Sequence, residues 1–129
     1  MINGSHPAAE PTIFIVDDDL SVRTALERLF KAGGWRVRAF ASAEEFLRQD
    51  LHPSSGCLIV DVHLGRMSGF DLLEALTQNG SHRLPVILTS GVDDLDMELE
   101  ARRLGANAFF RKPFDIGLLL DAVKRGLDS

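Results

Sequence analysis

Short apolar runs that each stop at a polar residue recur along this chain. Thr12-Ile13-Phe14-Ile15-Val16 stops at Asp17-Asp18-Asp19, and Cys57-Leu58-Ile59-Val60 stops at Asp61. Pro85-Val86-Ile87-Leu88 stops at Thr89-Ser90, and Ala106-Asn107-Ala108-Phe109-Phe110 stops at Arg111-Lys112-Pro113. A fifth β-rich run covers 35–40. Between the runs the apolar period changes from strand to helix. Val22, Ala25, Leu26, Leu29 and Phe30 form one face of a helix over 20–32, which Gly33-Gly34 ends. Ser42-Ala43-Glu44-Glu45 reads as a capping box that starts a second helix. Residues 52–56 read as a loop. Ser68-Gly69 opens a third helix with Leu72, Leu73 and Leu76 inward, and 78–84 is polar and turn-like. Val92, Leu95 and Leu99 fit a fourth helix over 92–103, ended by Gly105. Ile116, Leu119, Leu120, Val123 and Leu127 fit a last one. Strands alternating with helices predict βαβ units and a parallel sheet. The expected fold is a three-layer, doubly wound α/β domain with five strands and five helices.

Size and charge narrow the reading. With 129 residues, 45% of them hydrophobic, the chain suits one domain with a real core. Residues 1–10 have neither a basic start nor an apolar core, so they do not read as a signal peptide. We expect them to be a disordered tail or cloning remnant (Gly4-Ser5-His6), with the domain in 11–129. No apolar stretch approaches the roughly 20 residues of a membrane span. The single cysteine, Cys57, lies in an apolar run and reads as packing; it allows no internal disulfide and suits a cytoplasmic setting. A net charge of −5 and scattered arginines give no basic face for nucleic acid. His6, His52, His63 and His82 have no zinc-ligand spacing.

In an open parallel sheet the carboxyl ends of the strands share one edge, and ligands bind there. The four stops therefore converge as carboxylates, a hydroxyl and an ammonium. Like charges about 4 Å apart repel by ~1 kcal/mol in water and by ~4 kcal/mol at an effective dielectric of 20. A cluster of Asp17, Asp18 and Asp61 should raise a pKa or recruit a hard divalent cation, Mg²⁺ above all. Helix capping is the competing use of the first acidic triplet, and Asp19 alone suits it. Asp61 is the candidate nucleophile, because a carboxylate can form an acyl phosphate. Lys112 can pair with the carboxylate or a phosphoryl group, and Thr89 can donate to a phosphoryl oxygen. Each also has an ordinary use, as a solvated lysine and a strand threonine.

The ordered set of Asp17-Asp18, Asp61 followed by Met67-Ser68-Gly69, Thr89 and Lys112-Pro113-Phe114 resembles the receiver domain of two-component response regulators over 11–127. That resemblance implies a flavodoxin-like sheet of order 2-1-3-4-5. It implies Asp61 as acceptor of a phosphoryl group from the phosphohistidine of a sensor histidine kinase or a histidine phosphotransfer protein. Asp18, Asp61 and the backbone carbonyl of His63 would bind Mg²⁺, or alternatively Mn²⁺, with Asp17 direct or through water. Thr89 and Phe109 would be a switch pair acting on the fourth helix, fifth strand and fifth helix; from the sequence alone Phe109 equally suits plain core. The Lys112–Pro113 bond would be cis. The resemblance allows a stand-alone receiver or one cut from a longer regulator or hybrid kinase, with its output domain outside this chain, and it allows a phosphorylation-dependent homodimer. The charge and hydropathy above argue against membrane or direct nucleic-acid contact by this domain. The resemblance describes a signalling receiver rather than an enzyme, one that promotes its own phosphorylation and dephosphorylation.

Two positions depart from the family pattern: Gly65 stands where proline is frequent and loosens the loop, and His63 stands two residues past the acceptor. Other readings stay open. Asp17-Asp18-Asp19-Leu20-Ser21 resembles a haloacid-dehalogenase nucleophile motif, with Asp17 attacking, Asp19 as acid/base, and Thr89 or Ser90 and Lys112 in the later motifs. That family expects valine or threonine at Ser21 and an acidic pair after the lysine, and it leaves Asp61 idle. Flavin binding on the same fold fails, since three aspartates would repel its phosphate. A degenerate, phosphorylation-independent receiver is the third alternative.

Overall fold

Alternate residues of every central strand point to opposite faces of one sheet, and each face carries its own apolar core. The computed structural model describes residues 11–49, 55–79, 84–91 and 95–128. The strands are β1 (Thr12–Val16), β2 (Arg36–Phe40), β3 (Gly56–Asp61), β4 (Val86–Ser90) and β5 (Ala108–Arg111). They pair in parallel in the order β2-β1-β3-β4-β5. The helices are α1 (Leu20–Ala32), α2 (Ala43–Leu47), α3 (Gly69–Asn79), α4 (Leu95–Arg103) and α5 (Ile116–Asp128).

On one face Ile13, Ile15, Cys57, Ile59 and Ile87 pack under Leu26 and Phe30 of α1 and Leu119, Ala122 and Val123 of α5. On the other, Phe14, Val16, Leu58, Val60, Val86 and Leu88 pack under α2, α3 and α4 through Phe46, Leu72, Leu76 and Ala101. This is the doubly wound arrangement expected from the alternating pattern, with the flavodoxin-like strand order that the resemblance implies. Full burial of one such side chain is worth about 1.5–3 kcal/mol, so both layers are needed to offset the entropy of ordering the chain. Burial pushes the Cys57 thiol up to about 12, so it stays protonated and serves the core. No helix among the described residues is long and apolar enough to cross a membrane.

Several boundaries differ from expectation, each for a local reason. β2 begins after Trp35, whose N–H donates to the carbonyl of Phe30 and whose ring lies 5.4 Å from that of Phe30. Trp35 thus finishes α1 instead of starting a strand. β5 begins two residues late. Ala106 N–H closes the end of α4 onto the carbonyl of Ala101, and the Asn107 side-chain oxygen accepts from Val86 N–H at 2.9 Å. An amide side chain there occupies the place of a strand carbonyl. Asp61 is the last residue of β3 rather than the residue after it. The start of the fourth helix expected at Val92, the tail expected at 1–10, and most of the loops expected at 52–56 and 78–84 lie outside the described residues.

The helix starts follow their caps. Asp19 accepts from Ser21 and Val22 N–H at 2.8 and 3.3 Å, and this is the capping use the sequence allowed. Ser42 accepts from Glu45 N–H, while Glu45 reaches back to Ala41 N–H, one residue before the usual capping-box donor. Ser68 and Asp71 exchange side-chain-to-backbone bonds at 3.0 and 3.1 Å, a second such box at the start of α3.

Candidate functional site

The two-residue pleat that builds the α1/α5 core also aims the polar residues at its carboxyl edge. Ile13 and Ile15 lead on to Asp17, Cys57 and Ile59 to Asp61, Ile87 to Thr89, and Ala108 and Phe110 to Lys112. Each polar stop is therefore the next residue on one face, just past the apolar ones. The register keeps them level: Val16 pairs with Val60, Asp61 with Thr89, and Thr89 with Phe110. The ladder continues past the strands through Asp17 N–H to Phe40 O, Val62 N–H to Thr89 O and Lys112 N–H to Ser90 O.

One carboxylate oxygen from each of Asp17, Asp18 and Asp61 lies within 4.8 Å of the others. Asp17 and Asp61 are buried, at 2% and 7% exposure, whereas Asp18 is exposed to solvent. Lys112 Nζ reaches between the buried pair, 2.9 Å from Asp17 Oδ2 and 3.0 Å from Asp61 Oδ2. The remaining oxygens of the pair accept backbone bonds, Asp17 Oδ1 from Asp19 N–H and Asp61 Oδ1 from His63 N–H. The Lys112–Pro113 bond is cis.

Charge balance follows this geometry. Burial is the main force pushing the Asp17 carboxyl above its usual range, helped by the nearby Asp61 charge and opposed by Lys112 and Asp19 N–H. Burial alone would depress the Lys112 ammonium. Its hydrogen bonds to Asp17 and Asp61 and the attraction of their charges together outweigh that effect and hold its pKa above the ordinary value. Three carboxylates against one ammonium leave negative charge to be compensated. An all-oxygen donor set, with one carboxylate open to water, suits a hard divalent cation such as Mg²⁺.

The residues singled out in the sequence divide between the two faces. Thr89, at 1% exposure, stands beside Asp61 in the neighbouring strand. Phe109 does not share that face. It pairs with Leu88, packs against the α2/α3/α4 core, and lines a cavity of about 440 Å³ with Glu98, Ala101 and Asn107. Thr89 and Phe109 are therefore joined through register neighbours, Thr89 pairing with Phe110 and Leu88 with Phe109. Gly69 allows a close approach: a methyl group there would lie 2.5 Å from the backbone oxygen of Asp61.

Sequence reasoning missed Arg23. Its Nη1 donates to the backbone oxygen of Asp17 at 2.7 Å, and its own N–H bonds the carbonyl of the capping residue Asp19. The one signal was its place four residues after the cap, on the first turn of the helix that follows the acidic triplet.

Comparison with known proteins identifies the family of this fold. Residues 13–124 match the family described as response regulator receiver domain. The response regulator protein TmoT of Ectopseudomonas mendocina is 42% identical over 118 residues, covering 92% of this chain and 53% of that protein. The transcriptional regulatory protein TdiR of Thauera aromatica is 40% identical over 116 residues, covering 90% of this chain and 51% of its own length. The chain thus spans about half the length of the curated relatives it matches. Among solved structures, response regulator StyR superposes with a TM-score of 0.86 at 38% identity, over 93% of this chain and 60% of that one. FixJ-N superposes at 0.85 with 32% identity, over 94% and 96%.

Proposed function

The chain belongs to the response regulator receiver family, and on that footing we propose that it is the phosphoacceptor of a two-component phosphorelay, with Asp61 as the acceptor. The observation that carries this is Lys112, which bridges Asp61 to Asp17 at the sheet edge and brings residues 51 and 95 positions away to one point. The donor is a phosphohistidine of a sensor histidine kinase or a histidine phosphotransfer protein. A carboxylate oxygen of Asp61 attacks phosphorus, the P–N bond breaks as the P–O bond forms, and the imidazole leaves with the bonding pair and takes up a proton. Lys112 pairs with the incoming phosphoryl oxygens, and the Thr89 hydroxyl, beside Asp61 in register, donates to one of them.

Asp18, Asp61 and the His63 carbonyl, with Asp17 direct or through water, would hold Mg²⁺, or alternatively Mn²⁺. The bound cation supplies neutralisation of charge on the phosphoryl oxygens. The burial of Asp17 and Asp61 supports this assignment, since two buried carboxylates and an adjacent third exceed what one ammonium compensates. The haloacid-dehalogenase reading is less well supported, because the Asp19 carboxylate it needs as acid/base is capping α1. In a cytoplasmic receiver of this kind the domain promotes its own phosphorylation and dephosphorylation and performs no other catalysis. Intact mass after incubation with a small-molecule phosphodonor and Mg²⁺ tests the assignment. One phosphoryl adduct is expected on the wild type, lost with EDTA and in Asp61→Asn; an adduct that persists in Asp61→Asn sinks it.

The signal would pass to the surface of α4, β5 and α5. New contacts of the phosphoryl group with Lys112 and Thr89 favour an altered β4–β5 edge, to which Phe109 responds from the opposite face. A shift from 1:99 to 99:1 takes about 5.5 kcal/mol of differential binding, within reach of a few charge-assisted hydrogen bonds. The receiving partner would be an output domain outside this chain or a second copy in a phosphorylation-dependent homodimer. Phe109→Ala should keep phosphorylation of Asp61 within about twofold (an order-of-magnitude expectation) while removing the phosphorylation-dependent change in amide exchange over α4 and β5. Equal loss of both would count against the switch.

A further inference from the structure

We infer that Arg23 is a positioning residue for the cation site, acting through the Asp17–Asp18 peptide; the inference rests on the phosphoacceptor reading above. Asp17 is held at every polar atom. Its N–H donates to Phe40 O, its Oδ1 accepts from Asp19 N–H, its Oδ2 accepts from Lys112, and its carbonyl oxygen accepts from Arg23 Nη1 at 2.7 Å. Asp18, the exposed member of the carboxylate cluster, depends on its neighbours for placement. The carbonyl oxygen of Asp17 and the N–H of Asp18 belong to one rigid, planar peptide unit. Pinning that oxygen fixes the plane from which Asp18 projects.

Arg23 is itself fixed at its other end. Its backbone N–H bonds the carbonyl of Asp19, whose side chain caps α1. The guanidinium is partly buried, so its hydrogen bond works in a lower dielectric than bulk water. The helix start and the acidic peptide are thereby tied into one loop, and the carboxylate of Asp18 is presented toward those of Asp17 and Asp61.

Electrostatics and positioning make opposite predictions, which renders the idea testable. Removing a cation beside three carboxylates should by Coulomb's law alone strengthen binding of another cation. Loss of positioning should weaken it. We therefore expect Arg23→Ala to weaken Mg²⁺ binding, measured by calorimetry, by about tenfold, which equals about 1.4 kcal/mol. Arg23→Lys keeps the charge and a donor on a different stem and should lose about threefold, by the same conversion. Melting in EDTA shows that each variant is folded; if Arg23→Ala is not, Arg23→Lys decides.

A second readout separates positioning from general damage. The rate of adduct formation from the phosphodonor should need more Mg²⁺ in Arg23→Ala, yet recover at saturating Mg²⁺ to within about twofold of wild type. Unchanged or tighter Mg²⁺ affinity in a folded Arg23 variant overturns the inference. Failure of the wild type to bind Mg²⁺ overturns instead the phosphoacceptor reading on which it rests, and the positioning role with it.

Discussion

Lys112→Ala should lower stability by about 3 kcal/mol in urea unfolding at neutral pH with EDTA present, the low end of the cost of breaking a buried ion pair. The Lys112 side chain is 20% exposed and those of Asp17 and Asp61 are 3% and 8% exposed, so solvent screens the ammonium more than the carboxylates. Without the ammonium two buried carboxylates face each other, and at the 4.8 Å bound on their separation the repulsion is about 3 kcal/mol for an effective dielectric of 20. Added Mg²⁺ should return much of the loss, so the gain from Mg²⁺ should be larger in the variant than in the wild type.

The pH dependence has a definite sign at each end. The folded-state pKa of Lys112 is raised above its ordinary 10.5, so its stabilisation is fully present below 10.5 and is lost as pH rises through the folded value. The folded-state pKa of Asp17 is raised above its ordinary 3.8, so its ionised form costs stability, and that cost is relieved as pH falls through the folded value. Removing Lys112 removes an influence that lowers the Asp17 pKa, which increases the cost in the variant. The gap between wild type and variant should therefore be widest from neutral pH up to the onset of lysine titration, and narrow on both sides. A gap that is absent in EDTA, or flat with pH, would mean that the bridge contributes nothing.

That bridge also marks how far the sequence could be read. Asp17, Asp61, Thr89 and Lys112 each end an apolar run, and parallel pairing puts such ends on one edge, so their convergence was legible. The two-layer core was legible for the same reason, because strand and helix periods alternate. The side on which each residue falls needed the pleat and the register. Phe109 and Thr89 look equivalent as neighbours of the site in sequence, yet they occupy opposite faces. The partners of side-chain-to-backbone bonds outside the caps were not legible. Arg23 to Asp17 O and Asn107 to Val86 N–H involve residue types that are usually solvated, and only the folded geometry shows what they hold.

Gly56→Ala should cost more than about 3 kcal/mol, the range of the severe single-site mechanisms, and Mg²⁺ should not restore it. Gly56 has φ +147°, and a methyl group there would sit 1.9 Å from the backbone oxygen of Thr12, its partner in β1. A non-glycine residue held in such a conformation costs about 1–3 kcal/mol before any clash. The atom it meets belongs to the neighbouring strand's backbone and cannot rotate away. Gly65 is the internal control, since nothing lies within 4 Å of a methyl group there, and Gly65→Ala should change stability by at most about 1 kcal/mol. The consequence reaches the site because Thr12–Gly56 is the first of the in-register pairs that end at Val16–Val60, one residue short of Asp17 and Asp61. A slip of one residue along that ladder turns every β3 side chain to the other face. Asp61 would then point into the α2/α3/α4 core, away from Lys112. Urea unfolding of both variants, with and without Mg²⁺, checks the argument; a Gly56→Ala protein within about 1 kcal/mol of wild type would show that β1 and β3 can separate at this end without losing register.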